Sequence, residues 1–139
     1  MRRHWLLSTL CLATSPVWAA EQFDLVCSGT LETVTDVVSG LNVKNIKNQQ
    51  PWSGRIQVDL DAKQYCFSAE CPAASVIFDV APDKIVFSPI NALSGGGEYA
   101  EVSRVDGHFR RSFVRNMVTS TYRATCEKAP FTPFPKTRF

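Results

Sequence analysis

The sequence predicts an all-β fold: a small antiparallel β-barrel or sandwich of about eight short strands, stapled by disulfides. Three observations carry this expectation. Polar and apolar residues alternate along much of the chain, and helical spacing is hard to find. Turn signals separate the alternating runs at short intervals, as in barrels and sandwiches. Four of the five cysteines lie in the segment expected to be exported, where an even number implies bridges.

Residues 1–19 read as an export signal. Met1-Arg2-Arg3-His4 is a short basic start, and Trp5 to Ala13 is an apolar stretch too short to span a bilayer. Val17-Trp18-Ala19 places suitable residues at −3 and −1 for signal peptidase, so the mature chain is expected to begin at Ala20. Arg2-Arg3 also matches a twin-arginine signal, but without the usual long polar lead-in. Cys11 is not expected to carry lipid, because Leu10 and Ser8 stand where a lipid-attachment site needs a small residue and Leu. Residues 20–139 are then a single β-rich domain in an oxidising compartment, periplasmic or secreted.

The elements follow in order. Phe23, Leu25 and Cys27 alternate with Asp24, Val26 and Ser28, which opens a first strand. Residues 30–39 are rich in Thr and Val and predict a second. Gly40 to Ser53 is polar, rich in Asn, Lys and Gln, and reads as a loop carrying Trp52. Ile56, Val58 and Leu60 point one way along the next strand, a turn follows at Asp61–Gln64, and Tyr65-Cys66-Phe67 begins the return. Asp59 and Asp61 invite a calcium reading, but no further carboxylates follow at metal-loop spacing.

Ala74–Val80 and Lys84–Phe87 predict two strands around the turn Ala81-Pro82-Asp83. Ser88–Glu98 reads as a loop containing Ser94-Gly95-Gly96-Gly97. Tyr99–Val105 and His108–Arg115 predict a hairpin over Asp106-Gly107, and Val118–Cys126 a final strand. The tail from Ala129 to Phe139 contains Pro130, Pro133 and Pro135 and reads as an extended strap. Phe131 and Phe134 are expected to cover one end of the barrel.

The mature cysteines are Cys27, Cys66, Cys71 and Cys126, and four cysteines allow three pairings. Cys66–Cys71 closes a short loop and Cys27–Cys126 joins the first strand to the last, so these are the expected bridges. A zinc site would want Cys-x-x-Cys pairs or histidines, and the mature chain has only His108. No metal or other cofactor is expected.

Charge excludes some partners. Of 15 Lys and Arg, Arg2 and Arg3 leave with the signal, so 13 basic residues balance 13 acidic ones. This neutrality gives no argument for nucleic acid or anionic lipid. The charges are split, however. Ala20–Glu101 holds five basic and eleven acidic residues, a net of −6, and Val102–Phe139 holds eight and two, a net of +6. Pairing across strands accounts for such a split; an arginine face for an acidic partner is the alternative. Insertion of the barrel into a membrane is not expected, because prolines interrupt the tail and most predicted strands are too short to span.

Catalytic chemistry is thinly supplied. His108 sits beside a hairpin turn with no nucleophile motif, so no catalytic residue is assigned. The candidate binding residues are Ser94, Gly95, Tyr99, Arg104, Arg110 and Arg111. A two-residue turn at Asp106-Gly107 puts Val102 opposite Arg111, and a three-residue loop puts Glu101 there. Either way an arginine shares a face with Phe109 and Phe113 and needs a partner.

Two resemblances attach to these residues. A strand Cys near each end and Ser94-Gly95 ahead of Tyr99 resemble the periplasmic inhibitors of animal-type lysozyme. Those are small exported β-barrels that insert a Ser-Gly-x-x-Tyr loop into the lysozyme cleft. This chain has one residue too many between Gly95 and Tyr99, and Arg104 is the nearest basic residue where that family has a lysine. The chain as a whole resembles small uncharacterised exported β-rich proteins of proteobacteria. It shares their opening Phe23-Asp24-Leu25-Val26-Cys27, Val58-Asp59-Leu60, the close cysteine pair and the Phe131-Thr132-Pro133-Phe134-Pro135 tail. The expectation is a non-catalytic exported binding or inhibitor-like module, directed at a protein such as a lysozyme or at a cell-wall component. The alternative is a structural or envelope-interaction protein without a ligand site.

Overall fold

The computed structural model describes residues 21–67, 71, 73–89 and 97–134. The expected signal, Ser94 and Gly95 lie outside the described residues. The chain is all-β, with strands β1 (Gln22–Ser39), β2 (Asn42–Asp59), β3 (Gln64–Phe67), β4 (Ser75–Val76), β5 (Asp79–Val80), β6 (Lys84–Ser88), β7 (Glu98–Ser103), β8 (His108–Arg115) and β9 (Val118–Ala129). They form one antiparallel sheet in the order β4-β3-β2-β1-β9-β8-β7-β6-β5, curled into a half-barrel.

The sheet's two end strands, β4 and β5, are halves of one short segment. Between them the Ile77 N–H donates to the Lys63 carbonyl at 2.9 Å, and the Phe78 N–H donates to the Val86 carbonyl at 3.0 Å. Both edges of the curl therefore end on the same stretch of chain, which limits exposed edge at this point.

β1 and β2 depart from expectation. The two predicted opening strands are one, and the predicted loop at 40–53 is mostly strand. The pairing runs without interruption from Gln22↔Asp59 to Ser39↔Asn42 across the turn residues Gly40 and Leu41. Gly40 has φ +60°, suited to the first position of a two-residue hairpin turn. The polar composition of 42–53 weakens strand propensity, but propensity yields to a long Thr- and Val-rich partner strand. Pro51 is tolerated because β3 meets β2 only from Ile56 to Asp59, so this part of β2 is an edge among the described residues. Among the described residues the strands number nine, and two of them are long, 18 residues each.

The core lies inside the curl. Ile56, Val58, Ile85, Phe87, Ala100, Val102 and Phe109 are all buried there, with Phe23, Leu25 and Tyr65 around them. Gly29 marks a close approach of β1 to β9: a Cβ at this position would run into the Arg123 carbonyl oxygen. Both expected disulfides are present. Cys27 and Cys126 face each other directly on adjacent strands, with Cα atoms 4.0 Å apart, and Cys66 pairs with Cys71. These bridges place the folded chain in an oxidising, non-cytoplasmic compartment.

The expected strap is described only as far as residue 134, and there its hydrogen bonds run to the outer face of β1 and β2. The Thr132 N–H donates to Asp24 Oδ1 at 3.0 Å, and Gln57 Nε2 donates to the Thr132 carbonyl at 2.8 Å. Arg55 pairs with Asp24 at 3.0 Å. Asp24, 0% exposed, is thus fully paired on a face that alternation alone assigns to solvent. Phe131 and Phe134 meet edge to face, 5.5 Å between ring centroids.

Candidate functional site

The β7–β8 hairpin positions most of the sequence-derived candidates. Its register is Val102↔Phe109, Glu101↔Arg110 and Ala100↔Arg111. Neither predicted register occurs; the connection is a four-residue loop, 104–107. The Gly107 N–H closes it onto the Ser103 carbonyl at 3.1 Å, and the Ser103 hydroxyl accepts the N–H groups of Val105 and Asp106. Asp106 Oδ1 accepts the His108 N–H at 3.0 Å. The Ser103 hydroxyl and this N–H hold the Asp106 carboxyl below its ordinary pKa. Relative to a two-residue turn the register moves by two, which keeps every side chain on its predicted face.

Arg111 accordingly points inward with Phe109 and Phe113. Its Nε donates to Glu98 Oε1 at 2.7 Å, and its guanidinium carbon lies 4.3 Å from the Phe67 ring centroid, 5.4 Å from Phe113 and 5.7 Å from Tyr122. The neighbouring strand's Glu98 is thus a partner of the arginine. Trp52 continues the aromatic belt, with centroids 5.9 Å from Phe109 and 5.0 Å from Tyr122. A shallow cavity of ≈ 260 Å³ opens here between Tyr65, Phe67, Ser75, Glu98, Arg111 and the Cys66–Cys71 bridge. Burial, then the charge of Glu98, raise the Tyr65 phenol, against the Ser75 hydrogen bond and the Arg111 charge.

Tyr99 and Arg110 lie on the opposite, outer face. Arg110 stands between Glu101 on β7 and Arg123 on β9. Burial, then a hydrogen bond to Glu101 and its charge, push the Tyr99 phenol up to about 12. Arg104 sits in the loop at the other end of the hairpin, where it pairs with Glu21 at 3.0 Å and donates to the Ala81 carbonyl. A cavity of ≈ 320 Å³ at that end is lined by Phe23, Leu25, Ile85, Arg104 and Lys128. The structure thus distributes Tyr99 with Arg110, Arg111, and Arg104 over three separate surfaces. The pairs Arg104–Glu21, from a loop to the residue before β1, and Arg111–Glu98, across neighbouring strands, join the acidic and basic halves of the chain.

Sequence reasoning passed over the far end of the β1–β2 hairpin. Beyond the β8–β9 turn this arm carries Leu41, 103% exposed, with Val43 at 62%, Val38 at 55% and Ile46 at 51%. Val37 and Met117 are exposed beside them. Val38 and Val43 oppose each other on one face, while Val37 and Ile46 lie on the other, so both faces carry apolar side chains. Lys44 is opposite Val37 and Lys47 opposite Val34, placing one lysine on each face. The signal that could have found the arm is Val38-Ser39-Gly40-Leu41-Asn42-Val43, a hairpin turn with Gly first.

Of the turn acids, Asp59 Oδ1 accepts the Ala62 N–H, and Asp61 Oδ2 accepts the Glu21 N–H. Among the described residues no group of three or more His, Cys, Asp and Glu is placed to hold a metal ion. Comparison with protein-family models, curated proteins and solved structures found no match to this chain.

Proposed function

We propose that the chain is a non-catalytic exported binding module, periplasmic or secreted, that engages its target with the end of the β1–β2 arm. The observation that carries this reading is the exposed apolar set at the tip. Each of Val38, Leu41, Val43 and Ile46 gains about 1.5–3 kcal/mol on full burial. Among the described residues Leu41 is bare, and Val38, Val43 and Ile46 are each about half or more exposed. Clustered exposure of this kind marks a contact surface. A narrow arm on a disulfide-stapled body also suits an inhibitor-like mode, in which a projecting hairpin enters a partner.

The test offers oxidised protein to lysozymes, purified cell-wall sacculi and lipid vesicles in parallel. Retention by at least one, lost in Leu41→Asp while the melting temperature holds, supports the reading. Retention by none, or retention indifferent to Leu41→Asp, overturns it.

A further inference from the structure

We propose that the surface met by the arm is an anionic lipid bilayer, touched end-on by the Gly40-Leu41 turn; this rests on the binding-module reading above. The first argument is geometric. The apolar side chains nearest the end of the arm are Leu41 in the turn with Val38 and Val43 behind it, while on the other face Val37 stands level with Lys44 and Ile46 lies farther back. Such a tip suits an apolar medium met end-on.

The second argument is charge. Within 36–47 and 114–118 the basic residues are Lys44, Lys47 and Arg115 and the acidic residue is Asp36, so 3 − 1 leaves a net of +2. A second copy of the arm brings the same sign and is disfavoured. An anionic headgroup layer brings the opposite one.

The third argument is depth. Lys44 is three residues behind Leu41, about 10 Å at ~3.3 Å per residue. Interfacial segments bury their apolar side about 5–10 Å into the headgroup and acyl boundary. Leu41, Val38 and Val43 then reach the acyl boundary while Lys44 stays at the phosphates, with Lys47 and Arg115 behind it. Among the described residues the outer edge of β2 in the arm has no strand partner, and such an edge stops deeper entry, because it finds no hydrogen-bond partners in hydrocarbon. The contact is peripheral and differs from a membrane-spanning barrel.

Oxidised full-length exported protein is sedimented with phosphatidylcholine vesicles, with and without phosphatidylglycerol. The expected result is about tenfold tighter association with the anionic vesicles, weakened by salt. Leu41→Asp abolishes it with the melting temperature unchanged. Lys44→Glu with Lys47→Glu removes the preference for anionic lipid. In a Leu41→Trp variant the new indole fluorescence shifts to the blue on anionic vesicles. No vesicle association, or association that Leu41→Asp leaves intact, overturns the proposal. If sacculi or a lysozyme retain the protein through Leu41 and vesicles do not, the lipid falls and the binding module stands. If Leu41→Asp converts a dimer to a monomer and vesicles are ignored, the partner is a second copy and the lipid again falls. Retention by no material defeats both readings.

Discussion

The two ends of β1 and β2 differ in everything except backbone pairing. In the body, Phe23, Leu25 and Cys27 of β1 and Ile56 and Val58 of β2 are buried, and a strap covers the opposite face at Asp24 and Gln57. In the arm, residues 37–46 are all exposed, although the same ladder continues to the turn. A ladder gives shape to a hairpin, and covered apolar surface gives it stability, because each backbone hydrogen bond replaces one to water at small net gain. The body is thus the anchor, and the arm is the part free to meet something else.

The largest test of this contrast removes the bridge that joins β1 to β9 in the body. Replacing Cys27 and Cys126 together by Ala reopens a loop with a sequence separation of 99 and should cost about 4–5 kcal/mol by loop entropy. Urea unfolding measures it, and a loss under about 1 kcal/mol would mean that the body does not depend on this closure. The Cys66–Cys71 bridge closes a separation of 5 and should contribute about 2 kcal/mol by the same reasoning.

Arg111 sharpens the border between the regions. It is ion-paired with Glu98 and ringed by Phe67, Phe113 and Tyr122, with its side chain 13% exposed. Arg111→Ala should lower stability by about 2–3 kcal/mol, less than a fully buried pair because Glu98 is half-buried. An unchanged thermal melt would assign the arginine to ligand contact rather than to packing.

Tyr99 offers a smaller effect on the outer face of the body. Its phenol is pushed up to about 12 from an ordinary value of 10.0, first by burial and then by Glu101. As pH rises from about 10 toward 12 the unfolded chain releases this proton while the folded chain keeps it, so stability falls across that window. Absorbance titration after a rapid pH jump should show a tyrosine ionising near 12 that is missing in Tyr99→Phe.

The smallest effect belongs to the arm. Leu41→Ser should leave stability within about 0.5 kcal/mol, since the side chain touches solvent alone. A larger loss would show that the tip is packed within the protein and would erase the contrast between the two regions.

Several features are legible in the residues alone. Alternation at Phe23, Leu25, Cys27, Ile56 and Val58 identifies inward residues correctly, because period two is a direct consequence of the pleat. Both disulfides follow from spacing and strand order. The inward direction of Arg111 holds despite the longer turn, since a shift of two residues preserves the face. The arm is illegible because Asn42–Ser53 lacks alternation: Val43 and Ile46 are three residues apart and point to opposite faces. The dispersal of Arg104, Arg110 and Arg111 is not visible either, because neighbours in sequence lie on opposite faces or in different loops.

By itself, then, the sequence determined the class of the fold, the bridges and the face each strand residue takes, all of which depend on local period and covalent reach. Tertiary structure decided the length of β2, the choice of Glu98 as a partner of Arg111, the burial of Asp24 beneath the strap and the bareness of the tip. Each of those depends on what a distant segment does or does not place against the residue, and burial is a property of that second layer rather than of the residue itself.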